Sequence, residues 1–90
     1  MNSDDRVTYL QAVWSSFQDK AGTSRDMSSA EYHVASKWVD RSIPLPVVLR
    51  GIHEFSGKPK RLEAVVLSVE RSEAYWQKAM GYIPSGEVPL

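Results

Sequence analysis

The chain is 90 residues long, and its 11 basic and 11 acidic residues give a formal net charge of zero at pH 7. A chain of this length is expected to form one domain, and a hydrophobic fraction of 42% is unlike that of a disordered protein. Neutrality gives the whole chain no attraction for nucleic acid or acidic membranes, and it favours self-association. The absence of cysteine excludes a disulfide framework, a thiolate zinc site and a cysteine nucleophile.

Targeting signals are not evident in the sequence. No apolar run approaches the roughly 18 residues of a membrane span. The first residues, MNSDDR, are polar and acidic, whereas a signal peptide begins with a basic and then an apolar region. We therefore expect a cytoplasmic protein with no membrane association.

The first predicted helix covers residues 4–21. Ser3 can cap it, and Asp4 and Asp5 are favourable in the first turn because they face the positive end of the helix dipole. Gly22 is placed to end the helix as its C′ residue. Apolar residues recur at three- and four-residue steps and predict one buried stripe: Val7, Leu10, Val13, Trp14, Phe17 and Ala21.

The second predicted helix covers residues 29–41. Ser28 and Glu31 have the spacing of a capping box, in which each side chain bonds to the other residue's backbone N–H. The residues predicted to face inward are Ala30 or Tyr32, then Val34, Ala35, Trp38 and Val39. The residues predicted to face outward include Glu31, Lys37, Asp40 and Arg41.

A proline-rich corner, residues 42–46, separates this helix from the third. Ile43 precedes Pro44, and a residue before proline avoids helical geometry, so the second helix must stop near Arg41 or Ser42. Pro44 or Pro46 can open the third helix, predicted at 45–55, because a first-turn N–H has no helical partner to lose. Its predicted inward residues are Val48, Leu49, Ile52 and Phe55.

Gly51 lies inside this third helix, where glycine costs about 1 kcal/mol relative to alanine. Close approach of another helix is the preferred explanation, and a ligand backbone close by is the alternative.

The fourth predicted helix covers residues 60–80, after Gly57 and Pro59 end the third. Its predicted buried stripe is Leu62, Val65, Val66, Val69, Trp76 and Met80. Glu63, Glu70 and Glu73, with Arg71 and Lys78 nearby, are interpreted as a solvated face. Two glycines and two prolines in residues 81–90 predict an extended or disordered tail. The whole pattern predicts a compact all-α four-helix domain over residues 1–80.

Trp38 through Ile52 follow the pattern W-x4-I-P-L-x-V-V-L-x-G-I. This pattern resembles one found in small uncharacterised bacterial helical proteins, and the similarity covers about residues 7–75. No activity is attached to that group, so the resemblance implies a helical fold and names no functional residue.

Motifs for catalysis or metal binding are not evident in the chain. His33 and His53 are the only histidines, and a zinc site would need a third ligand such as Asp40 or Glu54. No serine lies in a GxSxG or SxxK motif. We predict no catalytic, cofactor-binding or metal-binding residues and a protein that is not an enzyme. A ligand cleft or small active site around the two histidines is the weakest alternative.

A basic surplus lies between residues 37 and 61. Six basic residues stand there against Asp40 and Glu54: Lys37, Arg41, Arg50, Lys58, Lys60 and Arg61. The second and third helices also have helix-turn-helix proportions, which would expose Arg50 and His53 on a recognition helix. These residues are therefore predicted contacts for a nucleic acid or another partner, and a DNA-associated regulator is the alternative function.

Aromatic residues are plentiful, and they suggest a surface that binds another protein. Trp14, Trp38 and Trp76 either form one core cluster or leave an exposed patch that marks a partner or dimer site. Pro46, Val47 and Trp76 are the predicted apolar interface residues. The leading hypothesis is a non-enzymatic interaction or assembly module, either a homodimer or a subunit of a larger complex.

Overall fold

The computed structural model describes residues 3–80, and the predicted tail, 81–90, lies outside the described residues. Four α-helices follow in chain order: α1 (Ser3–Ala21), α2 (Ser29–Asp40), α3 (Leu45–Glu54) and α4 (Val66–Met80). A short 3₁₀ turn, Leu62–Val65, precedes α4, and no strand occurs between residues 3 and 80. The all-α four-helix prediction is confirmed.

Hydrogen bonds at its two ends define α2. The Ser28 hydroxyl accepts from the Glu31 backbone N–H at 3.2 Å, and the Glu31 carboxylate accepts from the Ser28 N–H at 3.0 Å. The predicted capping box is therefore present. At the other end, the Ile43 N–H donates to the Trp38 carbonyl, and the chain turns through Ser42 with a left-handed φ of 56°. This is the Schellman arrangement that ends many helices.

The four helices form two antiparallel pairs. Arg6 of α1 bonds Asp40 at the end of α2, which sets these two helices antiparallel. Ser68 and Ser72 of α4 donate to α3 carbonyls in reverse order, which sets the second pair antiparallel. Helix α3 packs against both α1 and α4. The largest buried apolar side chains come from every element: Phe17, Trp38, Ile43, Ile52, Leu62 and Val69.

The fourth helix begins later than predicted. Arg61 has extended backbone angles, φ −138° and ψ 155°, and residues 62–65 form the 3₁₀ turn before α4 starts at Val66. The Lys60 carbonyl accepts from Arg25 in the α1–α2 loop, and the Leu62 N–H donates to Glu31 in α2. These tertiary bonds hold the backbone extended at the point where the sequence alone suggested helix.

Several predicted orientations are wrong. Glu31 was expected to face outward and is 1% exposed, whereas Val7 was placed inward and is 51% exposed. Either Ala30 or Tyr32 was expected to face inward, and both are exposed. Glu73 was assigned to a solvated face and is 5% exposed. Glu73 follows Val69 by one helical turn, so it lies on the same stripe that α4 buries.

None of the helices within residues 3–80 combines the length and apolar character that crossing a bilayer requires.

Gly51 lies where α3 and α4 approach each other closely. A Cβ atom built on Gly51 would lie 2.5 Å from the Cα of Val69 and 2.9 Å from its backbone nitrogen. Both obstacles are backbone atoms, so no side-chain rotation can relieve the overlap. Close helix packing therefore explains this glycine.

We predict that Gly51→Ala destabilises the fold. Overpacking typically costs about 1–3 kcal/mol, and the better helix propensity of alanine returns only about 1 kcal/mol. Because the overlap is with backbone, the cost should lie in the upper part of that range, and a net loss of about 1–2 kcal/mol is expected in urea denaturation. His53→Ala, at an exposed position two residues on, is the control and should change stability by less than about 0.5 kcal/mol. A more stable Gly51→Ala variant would contradict the close approach.

Candidate interaction surface

An open apolar groove of about 480 Å³ runs along α1 beside the start of α2, and we call it the α1–α2 groove. Its apolar lining consists of Val7, Leu10, Trp14, Met27 and Tyr32. Its polar lining consists of Gln11, Ser15 and Gln18, all from α1. From residue 7 to residue 18, α1 advances about 16 Å, so the groove is roughly three helical turns long.

The groove exists because the apolar stripe of α1 is wider than its neighbours cover. Val13 and Phe17 are fully buried against the core, whereas Trp14 is partly exposed on the flank of the helix. Val7 and Tyr32, at 51% exposure, are two of the four large apolar side chains exposed within residues 3–80. Apolar surface left uncovered beside a recess is typical of a protein contact site.

Trp14 forms the inner wall of the groove and is held in place on three sides. Its ring stacks on Phe17 with centroids 4.7 Å apart. Its indole N–H donates to the Arg25 carbonyl at 3.1 Å. The Arg25 guanidinium lies over the ring at 5.2 Å from the centroid, a cation–π distance. The groove wall is therefore tied to the loop that joins α1 and α2.

Arg25, whose side chain is 40% exposed, and the buried Glu31 form an ion-pair junction behind this wall. Two Arg25 nitrogens bond the two Glu31 carboxylate oxygens at 2.7 and 2.8 Å. The same carboxylate accepts from the Ser28 N–H and from the Leu62 N–H at 2.9 Å. Arg25 also donates to the Lys60 carbonyl at 2.8 Å. One ion pair thus fastens the α1–α2 loop, the start of α2 and the approach to α4.

These bonds favour the ionised form of Glu31. The Arg25 guanidinium lowers the pKa of Glu31 from its ordinary 4.5 to about 2, helped by the Ser28 and Leu62 N–H groups and opposed by burial. Because the folded-state pKa is depressed, the contribution to stability is complete above pH 4.5. It is lost as the pH falls toward 2.

We predict an acid transition that depends on this one carboxylate. A pKa displaced from 4.5 to about 2 corresponds to at most about 3 kcal/mol of unfolding free energy lost between those two pH values, because water partly screens Arg25, which is 40% exposed. Urea denaturation at several pH values between 2 and 6 would measure it.

Glu31→Gln should destabilise the protein by about 1–3 kcal/mol at neutral pH, because the buried carboxylate loses its charge-assisted hydrogen bonds to Arg25, whose side chain is 40% exposed and stays hydrated. The variant should also lose the acid-dependent component. Glu54→Gln is the matched control, since Glu54 is a half-exposed partner of Arg50 whose loss should cost less than about 1 kcal/mol. Equal effects of the two variants would contradict the role of the junction.

The predicted apolar interface residues differ in their exposure to solvent. Val47 is 1% exposed and its carbonyl accepts from Ser72, so its assignment to an interface is wrong: it lies on the α3 face that packs on α4. Pro46 is exposed and Trp76 is partly buried against the core. Trp38, whose placement was left open, is a core residue at 3% exposure. The groove on α1 was not recognised from the sequence.

Two of the predicted basic contacts carry acidic partners. Arg41 bonds Oε1 of Glu73 at 2.8 Å and supplies the counter-charge of that buried glutamate, whereas its Oε2 is buried without a hydrogen-bond partner. Arg50 bonds Glu54 at 3.1 Å, and its guanidinium lies 4.6 Å from the centroid of the Tyr75 ring. Local ion pairing therefore engages two of the six basic residues that make up the predicted surplus.

The predicted basic contacts do not form one face. Lys60 and Arg61 line a cleft with Arg25 and Ser28 at the start of α2. Arg41 lies at the other end of α2, about 18 Å away along twelve residues. Lys58 belongs with Lys60, since both line a second cleft beside Arg25. Lys37 is exposed on α2 between the two ends.

Both histidines are exposed. The His53 carbonyl accepts a hydrogen bond from Lys20, and its side chain lines a cleft with Ser16, Asp19 and Lys20, which does not include His33. Within residues 3–80, no group of three or more histidine, aspartate or glutamate side chains is arranged to hold a metal ion.

Comparison of the chain with protein-family models, with curated proteins and with solved structures returned no match.

Proposed function

We propose that this chain is a non-enzymatic protein-interaction or assembly module that binds its partner through the α1–α2 groove. The observation that carries the proposal is the exposure of Val7 and Tyr32 at the mouth of an apolar recess. Half of each side chain is left in water, and covering them with a partner would be favourable by about 25 cal/mol for each Å² of apolar surface removed.

The groove supports this function because its Trp14 wall is preformed in the unbound chain. Trp14 is fixed by ring stacking, by its own hydrogen bond and by the Arg25 guanidinium. Rigid aromatic anchors lose little conformational entropy on binding, and a preformed site keeps that cost low. The polar residues Gln11, Ser15 and Gln18 can serve as the hydrogen-bonding rim of such an interface.

Photo-crosslinking in the native cell tests the proposal. A photoreactive amino acid is placed at Gln11, inside the groove, and at Glu70 on α4 as the control. We expect a defined crosslinked species from position 11 only, identified by mass spectrometry. Val7→Glu should reduce its yield at least tenfold, because an interface core does not tolerate an unpaired charge.

A matched variant separates binding from folding. Leu67 is 66% exposed on α4, outside the groove, so Leu67→Glu should leave the crosslink yield unchanged. Both substitutions lie at exposed positions and should alter the unfolding free energy by less than about 0.5 kcal/mol. Crosslinking from Glu70 equal to that from Gln11, or none from either position, would count against the proposal.

A second candidate function is association with DNA through the 58–61 loop. The observation in its favour is that Lys58, Lys60 and Arg61 are all exposed and lie on the same side as the start of α2. Three positive side chains in one loop can contact phosphates, and such binding must weaken as salt is raised.

An electrophoretic shift with mixed-sequence duplex DNA, at low and at moderate salt, tests this second candidate. The triple variant Lys58→Gln, Lys60→Gln, Arg61→Gln should abolish a salt-sensitive shift, whereas Lys37→Gln should leave it intact. Absence of any shift with the wild-type protein at low salt would eliminate this candidate.

A further inference from the structure

We propose that the cleft between α3 and α4 is a binding site for a phosphate group, either free or carried as a monoester. The cleft has a volume of about 280 Å³ and shares no lining residue with the α1–α2 groove, so this proposal does not rest on the proposed function. All of its lining side chains carry a polar atom: Arg50, Glu54, Ser68, Arg71, Ser72 and Tyr75.

The two serines of the cleft offer a ligand no hydrogen-bond donor. The Ser68 hydroxyl donates to the Gly51 carbonyl, and the Ser72 hydroxyl donates to the Val47 carbonyl at 2.8 Å. A hydroxyl has a single proton, so both serines are already used as donors within the fold. The donors left for a ligand therefore belong to the two arginines and to the tyrosine.

Arg50 is held in one orientation by two neighbours. Its Nε donates to Glu54 at 3.1 Å, and its guanidinium lies 4.6 Å from the centroid of the Tyr75 ring. The two terminal nitrogens form no hydrogen bond within residues 3–80. They make up one side of the fork with which arginine binds two phosphate oxygens. Because the side chain is already ordered, binding would cost little conformational entropy.

Arg71 supplies the positive charge of the cleft that no acidic residue neutralises. It is exposed and forms neither an ion pair nor a hydrogen bond within residues 3–80. Tyr75 follows it by one helical turn, so the two side chains lie on the same side of α4. Arg50 and Glu54 compensate each other's charge, which leaves the Arg71 charge to attract an anion.

The available groups fit a phosphate better than a carboxylate. Two guanidinium groups and the Tyr75 hydroxyl are donors, so their ligand must accept several hydrogen bonds and carry negative charge. One guanidinium already satisfies both oxygens of a carboxylate, whereas a phosphate group presents a further oxygen to a second donor. Glu54 lies beside the same cleft, and its bond to Arg50 offsets the repulsion that it would exert on the ligand.

Titration of the isotope-labelled protein with inorganic phosphate, followed by NMR at constant ionic strength, tests the site. We expect saturable shifts centred on Arg50, Arg71 and Tyr75, with a dissociation constant of about 1–10 mM for one small anion at a partly hydrated site. Shifts centred on residues 58–61 would overturn the proposal, as would the absence of saturation below about 50 mM phosphate.

Two further ligands identify the chemistry that the site selects. Phenyl phosphate should bind at least threefold more tightly than inorganic phosphate if the natural ligand is a monoester, because its ring can pack beside Tyr75. Equal binding of the two would indicate free phosphate as the ligand. Acetate should bind at least tenfold more weakly than either, and acetate binding as tight as that of phosphate would overturn the choice of phosphate.

Variants separate this site from a general charge effect. Arg71→Gln should weaken phosphate binding at least tenfold, and Arg71→Lys should restore it only in part, because an ammonium lacks the guanidinium fork. Lys37→Gln removes the same charge from an exposed position on α2 and should change the affinity by less than twofold. Neither position has a partner to lose within residues 3–80, so the melting temperature should stay unchanged. Equal weakening by Arg71→Gln and Lys37→Gln would overturn the site.

Discussion

The Arg25–Glu31 ion pair is the interaction on which the rest of this structure depends. Isolated charges are costly to bury, and a buried pair contributes only when its remaining hydrogen-bonding capacity is also satisfied. Glu31 meets this condition, since it receives two guanidinium nitrogens and two backbone N–H groups while only 1% exposed. The junction orders the two longest connections, residues 22–28 and 55–61, which contain no helix or strand.

The same junction shapes the groove. The guanidinium that satisfies Glu31 also covers the Trp14 ring, and the Arg25 carbonyl receives the indole N–H. Met27, on the other side of the groove, follows Arg25 by two residues and is placed by the same loop. The contacts that stabilise the fold therefore also shape the groove proposed to bind a partner, so a ligand bound there would favour the ordered loop.

Much of the fold was predictable because it depends on local pattern. The spacing of Val13 and Phe17, the capping box at Ser28 and the proline corner each specify a helix or its end, and the observed α1, α2 and α3 differ from the predicted limits by one residue or less. Gly51 was also interpretable, since an interior helical glycine is unfavourable unless something packs closely on it. Predicting these features requires only residues within a few positions of one another or, for Gly51, one general packing argument.

The errors involve contacts between residues far apart in the chain. Glu73 is buried because Arg41, 32 residues earlier, reaches it, and residues 60–62 stay extended because Arg25 and Glu31 bond their backbone. Spacing shows which face of a helix a residue occupies but not whether another element covers that face. Val7 was placed inward on that basis, as was either Ala30 or Tyr32, and the structure leaves all three exposed. The proposed binding surface, the α1–α2 groove, thus includes apolar residues that the helical pattern assigned to the core. The four described helices leave these residues exposed.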